Sequence, residues 1–108
     1  MERNKEVRVG LSKSYTSYVG ASKEIIKDVG NVELHGLGEA TANVVRAAEM
    51  LVSLGYANLD KFETLTVSEP DRSGVSRNRN KVIIKLSKAA GFEKAYNDFK
   101  NSRPTQKD

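Results

Sequence analysis

The chain has no cysteine and no tryptophan, two prolines and a single histidine, His35. Without cysteine there is no disulfide framework, which excludes a small secreted scaffold stapled by bridges. One histidine and no thiol leave zinc with carboxylates alone, not a ligand set it ordinarily takes. No nucleophile–base pair and no spaced acidic cluster suited to two-metal chemistry stands out. The expectation is a protein that is not an enzyme and has no cofactor and no small-molecule substrate. Long apolar runs are missing too. Nothing approaches membrane-spanning length, and the charged start, Met1-Glu2-Arg3-Asn4-Lys5-Glu6, lacks the apolar stretch of a signal peptide. A protein of the cytoplasm or nucleus, with no membrane partner, is expected. The last absence is local: no acid lies between Asp71 and Glu93.

That acid-free stretch holds Arg72, Arg77, Arg79, Lys81, Lys85 and Lys88. The chain of 108 residues carries 18 basic and 14 acidic side chains, so without these six the bases would number 12. The whole positive excess therefore sits between residues 72 and 88. The first part reads as a loop, rich in Ser, Asn and Gly. Lys81 to Ser87 alternates and reads as a strand, as does Phe62 to Glu69 ahead of the loop. A long hairpin tipped with arginine suits a polyanion. Arg77 and Arg79, two apart, fall on one side of an extended arm, and arginine suits phosphate oxygens and a narrow minor groove. Lys81 continues that period. Arg72 stands at the opposite root. Asn78 and Asn80 either meet sugar and base edges or simply form the turn. Glu69 and Asp71 temper the loop's charge or grip its root. With Val75 its one apolar residue, the span 71–80 is expected to be poorly ordered without a ligand.

Elsewhere the elements follow from periodicity. Glu6 to Leu11 alternates and reads as a strand. Tyr15 to Val29 has helical spacing, with Ser14 as N-cap and Gly30-Asn31 closing it. Asn31 to His35 is a second strand, Gly36-Leu37-Gly38 a turn, and Glu39 to Leu54 a second helix. Phe92, Ala95, Tyr96 and Phe99 suggest a short C-terminal helix over 91–100. The order is β-α-β-α-β-β. It predicts an α/β two-layer sandwich, a mixed four-stranded sheet with two helices on one face. The domain spans 6–88, with a tail at 1–5, the extra helix within 89–101 and a disordered tail at 102–108. Val45 and Val52 lie outside the main stripe of helix two, which suggests a dimer interface.

Three stretches carry a family resemblance across residues 6–88. The first is Val9-Gly10-Leu11-Ser12-Lys13-Ser14-Tyr15-Thr16-Ser17-Tyr18-Val19, with a lysine, a gap and an aromatic-valine pair. The second runs from Leu34 to Glu49, with Gly38 before the helix and the pattern Val-x-x-Ala-Glu over 45–49. The third is the basic hairpin. In this order and spacing they resemble the Alba family, and the chain looks closer to its protozoan members. The resemblance implies a homodimer, or a heterodimer with another Alba-like chain, binding RNA, double-stranded DNA or both without strong sequence preference. It implies that the lysine at the strand-one turn meets the backbone and that the hairpin arms follow the minor groove. Roles in translation control and RNA metabolism, in chromatin organisation, or as a scaffold subunit of a particle of the ribonuclease P/MRP kind would follow. The chain departs from the pattern at Ser12, where archaeal members have a second lysine, and at Asn43, where some carry a lysine. It has no Arg-Gly repeats, and its C-terminal helix is an addition.

The candidate nucleic-acid-binding residues are thus Lys13, Arg72, Arg77, Asn78, Arg79, Asn80 and Lys81. Gly38 joins them because amides at a helix start can hold a phosphate, although a structural turn also explains it. Tyr15 joins them as a ring able to stack on a base, with Tyr56 left open and Tyr18 read as core. Lys23 and Lys27 read as members of solvated i,i+4 pairs.

Overall fold

In the strand Asn31–Leu37 (β2), Val32, Leu34 and Gly36 are buried, while Asn31, Glu33, His35 and Leu37 between them are half-exposed. Period two in burial means that one side of the strand faces the core. On one flank β2 pairs in parallel with Glu6–Val9 (β1), matching Val7 to Leu34 and Val9 to Gly36. On the other it pairs antiparallel with Ser76–Lys88 (β4), matching Val32 to Leu86, Leu34 to Ile84 and Gly36 to Val82. The long strand Ala57–Pro70 (β3) pairs antiparallel with β4 and forms the sheet edge, giving the order β1-β2-β4-β3. This computed structural model describes residues 5–102, with side chains as far as Phe99. Of the tails expected at 1–5 and 102–108, residues 1–4 and 103–108 lie outside the described residues.

Two helices complete the sandwich. Tyr15–Val29 (α1) buries Val19, Ile25 and Ile26, and Thr41–Ser53 (α2) buries Val44, Ala47, Ala48 and Leu51 in the same core as the strands. Gly30 ends α1 with φ 100°, its N–H donating to Ile26 O at 2.9 Å, a left-handed cap. The expected turn at Gly36 is instead part of β2. A Cβ there would run into Val44 Cγ2, so the glycine lets α2 lie directly on the strand. The chain then makes one 3-10 turn, Gly38–Ala40, before α2. Ser14 occupies the N-cap position, but its hydroxyl meets Thr16 Oγ1 at 2.7 Å and makes no capping bond.

β1 and β3 also differ from expectation at their ends. β1 stops at Val9 because both backbone groups of Gly10 are engaged elsewhere: its N–H donates to the Tyr18 hydroxyl and its carbonyl accepts from Asn43 Nδ2, each at 3.0 Å. β3 begins at Ala57, not Phe62. Asp60 and Lys61 lie inside the strand and not ahead of it: a bulge between Leu59 and Lys61 accommodates Asp60, which accepts from Ser87 Oγ at 2.9 Å.

The C-terminal helix is Phe92–Ser102 (α3). Phe92 is buried between Tyr56 and Tyr96, with ring centroids 5.7 and 5.5 Å away. Tyr56 is therefore a core residue, not a stacking surface. Lys23 Nζ lies 4.1 Å from the Phe99 ring centroid and Lys27 Nζ 5.6 Å from that of Tyr96, while the Tyr96 hydroxyl donates to Glu24 at 2.9 Å. The lysines of α1 hold α3 by cation–π contact, a role their spacing did not show.

Candidate nucleic-acid interface

The hairpin arm is built around one carboxylate. Asp71 Oδ1 accepts from Ser73 N at 2.9 Å, Ser73 Oγ at 2.7 Å and Val75 N at 3.0 Å, and Oδ2 accepts from Arg77 Nε at 2.7 Å. The backbone closes the same turn, Asp71 N donating to Val75 O at 2.9 Å and Gly74 N to Asp71 O at 3.0 Å. Gly74 takes φ 86°, a conformation that favours glycine. The Arg77 guanidinium, followed by the Ser73 and Val75 donors, holds the Asp71 carboxyl down to about 2. An aspartate that binds its own following amides is a turn former with a mechanism.

This turn spans only 71–75, so the expected loop over 72–80 is corrected: β4 starts at Ser76, and Ser76 to Asn80 are paired to β3. The register sets Arg77 opposite Glu69, Asn78 opposite Ser68, Arg79 opposite Val67, Asn80 opposite Thr66 and Lys81 opposite Leu65. Arg77, Arg79 and Lys81 share one side of the ribbon, and Asn78 and Asn80 the other. Every residue from Arg72 to Asn80 is exposed. Composition missed the strand because apolar residues cannot alternate where neither face is covered.

The arm's charges differ in their partners. Arg77 is tied to Asp71, and Arg79 Nη1 lies 4.0 Å from Glu69 Oε1. Arg79 also lies against Gly38. A Cβ on that residue would come within 2.8 Å of Arg79 Nη2, and Gly38 itself has φ 57°. Gly38 thus serves as a seat for a guanidinium at the arm's root, on the turn that leads into α2. Arg72 and Lys81 form no ion pair among the described residues.

Lys13 lies in the loop between β1 and α1, exposed and without an ion pair or hydrogen bond among the described residues. Among the described residues no hydrogen bond or ion pair joins it to the arm. The loop is fixed by the two bonds on Gly10, one of them from Asn43. The residue standing where some relatives carry a lysine therefore clamps the loop to α2. Tyr15, half-buried at the start of α1, is covered by Arg46 of α2, whose Cζ lies 5.3 Å from the ring centroid. Arg46 went unremarked in the sequence because its partner is on another helix.

The sequence profile of the Alba family matches residues 5–69. The chain belongs to the Alba family. Alba proteins are nucleic-acid binders. The crystal structure of ALBA1 from Trypanosoma brucei is similar, with TM-score 0.79 and 27% identity, over 92% of this chain and 82% of that one. Alba from Thermoplasma volcanium shares the fold, with TM-score 0.68 at 21% identity, over 77% of this chain and 99% of that one. An uncharacterised protein of Arabidopsis thaliana is 35% identical over 77 residues, covering 70% of this chain and 59% of its own length.

Among the described residues of this Alba chain, an apolar groove lies open between α2 and β3. Val45, Ala48 and Val52 of α2 form one wall, Leu59 and Phe62 of β3 the other, and Ile84 lies between them. Phe62 and Leu59 are 52% and 57% exposed, Val45 and Val52 46% and 42%, so four large side chains on one edge meet water. A contiguous exposed patch of this kind is a candidate interaction surface.

Proposed function

We propose that this Alba chain binds RNA and double-stranded DNA through the backbone, with little regard to sequence, as a dimer and without catalysis. The observation that carries this reading is the arm: Arg77, Arg79 and Lys81 stand at alternate positions on one side of a paired ribbon, the two arginines exposed and Lys81 half-exposed. Cations repeated along an extended strand match the repeated charge of a phosphate backbone, which positions a protein and carries no code. Arg72 adds a charge within the turn, Asn78 and Asn80 supply hydrogen-bonding groups on the opposite side, and Lys13 adds a cation off the arm. The cellular setting that fits is RNA metabolism, translation control or chromatin organisation in the cytoplasm or nucleus.

The groove between α2 and β3 supports a second Alba-like subunit, which sets two arms in one particle. Phe62→Asp should give a monomer in sedimentation. A wild-type chain that is monomeric until another Alba-like chain is added would favour a scaffold subunit of an RNA-processing particle.

Arg77→Ala combined with Arg79→Ala tests the arm. A dimer loses four arginines, and each phosphate contact contributes about 0.9 to the salt dependence on duplex DNA. The slope of log K against log salt should flatten by up to roughly 3 to 4, by similar amounts on unrelated sequences. An unchanged slope would remove the arm from the mechanism.

A further inference from the structure

A second contact of different chemistry lies off the arm, where α2 crosses the start of α1. Arg46 is exposed, and among the described residues it forms no ion pair and no hydrogen bond; its partner is the Tyr15 ring, 5.3 Å from Cζ. Tyr15 packs against the core, so the ring is a fixed support. The bond from Asn43 Nδ2 to Gly10 O ties the first turn of α2 to the loop that carries Lys13. Arg46 is three residues beyond Asn43, on the same side of the helix. Lys13 is two residues before Tyr15 and equally unpaired.

We propose that Tyr15 and Arg46 form a shelf on which an unpaired nucleobase stacks, with Lys13 taking the neighbouring phosphate. The shelf gives the protein a single-strand site distinct from its duplex-binding arm. This rests on the reading above that the chain binds nucleic acid. A guanidinium supported by a ring offers its outer side to solvent, and unstacked bases settle on arginine planes as they do on aromatic rings. A duplex keeps its base faces buried in the stack, so only a single strand, a loop or an end can use such a surface. Sequence preference is not expected, because every base has a face. An arginine held over a ring and left without an acid, when Arg77 and Arg79 both have one nearby, fits this use better than a role in holding the helices together. The helices already share a core of buried Val19, Ile26, Val44 and Leu51.

The test separates plane from charge. Wild type and variants are titrated against one single-stranded oligoribonucleotide, the DNA single strand of the same sequence, and a duplex DNA, all at one salt concentration. Arg46→Lys keeps the charge and removes the plane. It should bind both single strands at least about fivefold more weakly, and the duplex as the wild type does. Tyr15→Leu should weaken the same two ligands, and Tyr15→Phe, which keeps the ring, should leave them unaffected. Arg46→Lys replaces one exposed cation by another, so its result does not depend on refolding. The proposal is overturned if Arg46→Lys binds single strands like the wild type, or if single-strand and duplex binding fall together. Loss of the shelf alone leaves duplex affinity at the wild-type value, whereas failure of the nucleic-acid reading itself leaves no binding to any of the three.

Discussion

In β4, Val82, Ile84 and Leu86 are buried beneath the helices, while Ser76 to Asn80 on the same strand are exposed throughout. The inner half of the β3–β4 hairpin is therefore held by burial, and the outer half by its backbone ladder and the turn at its tip. A two-stranded ribbon with no covered face is marginal in water. That is why four donors converge on Asp71: without side-chain packing, closure of the turn is left to hold the ribbon in register. The contrast separates stability from binding. Changes in the inner half should be read in unfolding, and changes in the outer half in affinity.

The largest effect should come from the inner half. Leu34 and Ile84 face each other across β2 and β4, exposed by 0% and 3%. Either residue changed to Ala should lose about 2–5 kcal/mol of stability by denaturant titration, the spread reflecting how far the cavity collapses. Salt dependence of binding, measured on the folded fraction, should not change. Arg77→Ala should do the reverse, weakening binding while lowering stability far less, because the pair it breaks with Asp71 is exposed. A loss of stability from Arg77→Ala comparable with that of the core variants would break the separation.

Gly38 lies where the halves meet. Ala there must adopt φ 57°, and its Cβ must displace the Arg79 guanidinium. About 1–3 kcal/mol of destabilisation is expected from the backbone alone, together with weaker binding, because the arginine loses its seat. Thermal melts and duplex titrations on the same sample read both. A lowered melting temperature with unaltered binding would show that the seat matters to the fold only.

The difference between the halves also explains how much was legible. Strand and helix order and the stripes of α1 and α2 follow from alternation and 3.6-residue spacing, which are local properties of buried elements. Where burial stops, that signal stops. Ser76 to Asn80 carry no apolar alternation and read as loop, and the bulge at Asp60 hid the start of β3. The site residues were visible as charges, but their state was not. The bond between Arg77 and Asp71, the seat of Arg79 on Gly38 and the Arg46–Tyr15 contact all depend on register or on which helices meet. Asn43 was read by its distance from a lysine pattern, when its amide serves the carbonyl of Gly10, 33 positions away.

A smaller effect, of opposite sign, is expected from Asp71→Asn. Asn keeps an oxygen for Ser73 and Val75 but gives up the charge that holds Arg77. With that competitor removed, duplex affinity should rise by about two- to fivefold per arm, the order of an exposed ion pair, and more at low salt than at high. Weaker binding in Asp71→Asn would mean that turn geometry, not release of Arg77, limits the arm.

The smallest signal is the titration of Asp71 itself. Its carboxyl is held down to about 2 from 3.8, first by the Arg77 guanidinium and then by Ser73 and Val75. A carboxyl lowered in the folded state contributes stability that is fully present above the unfolded value and fades as pH falls from about 4 through about 2. Between pH 5 and 8 Asp71 is ionised whether or not Arg77 has moved to a phosphate, so this contact adds no pH dependence to binding in that range. Carbon-detected NMR of the free protein should give a midpoint near 2 for Asp71, with the Ser73 and Val75 amides moving together with it. In Arg77→Ala the midpoint should rise toward 3.8, and nucleic acid that draws Arg77 away should raise it in the wild type too. A wild-type midpoint near 3.8, insensitive to Arg77, would mean that the arginine at the arm's tip is free in solution and that the Asp71→Asn gain has no origin.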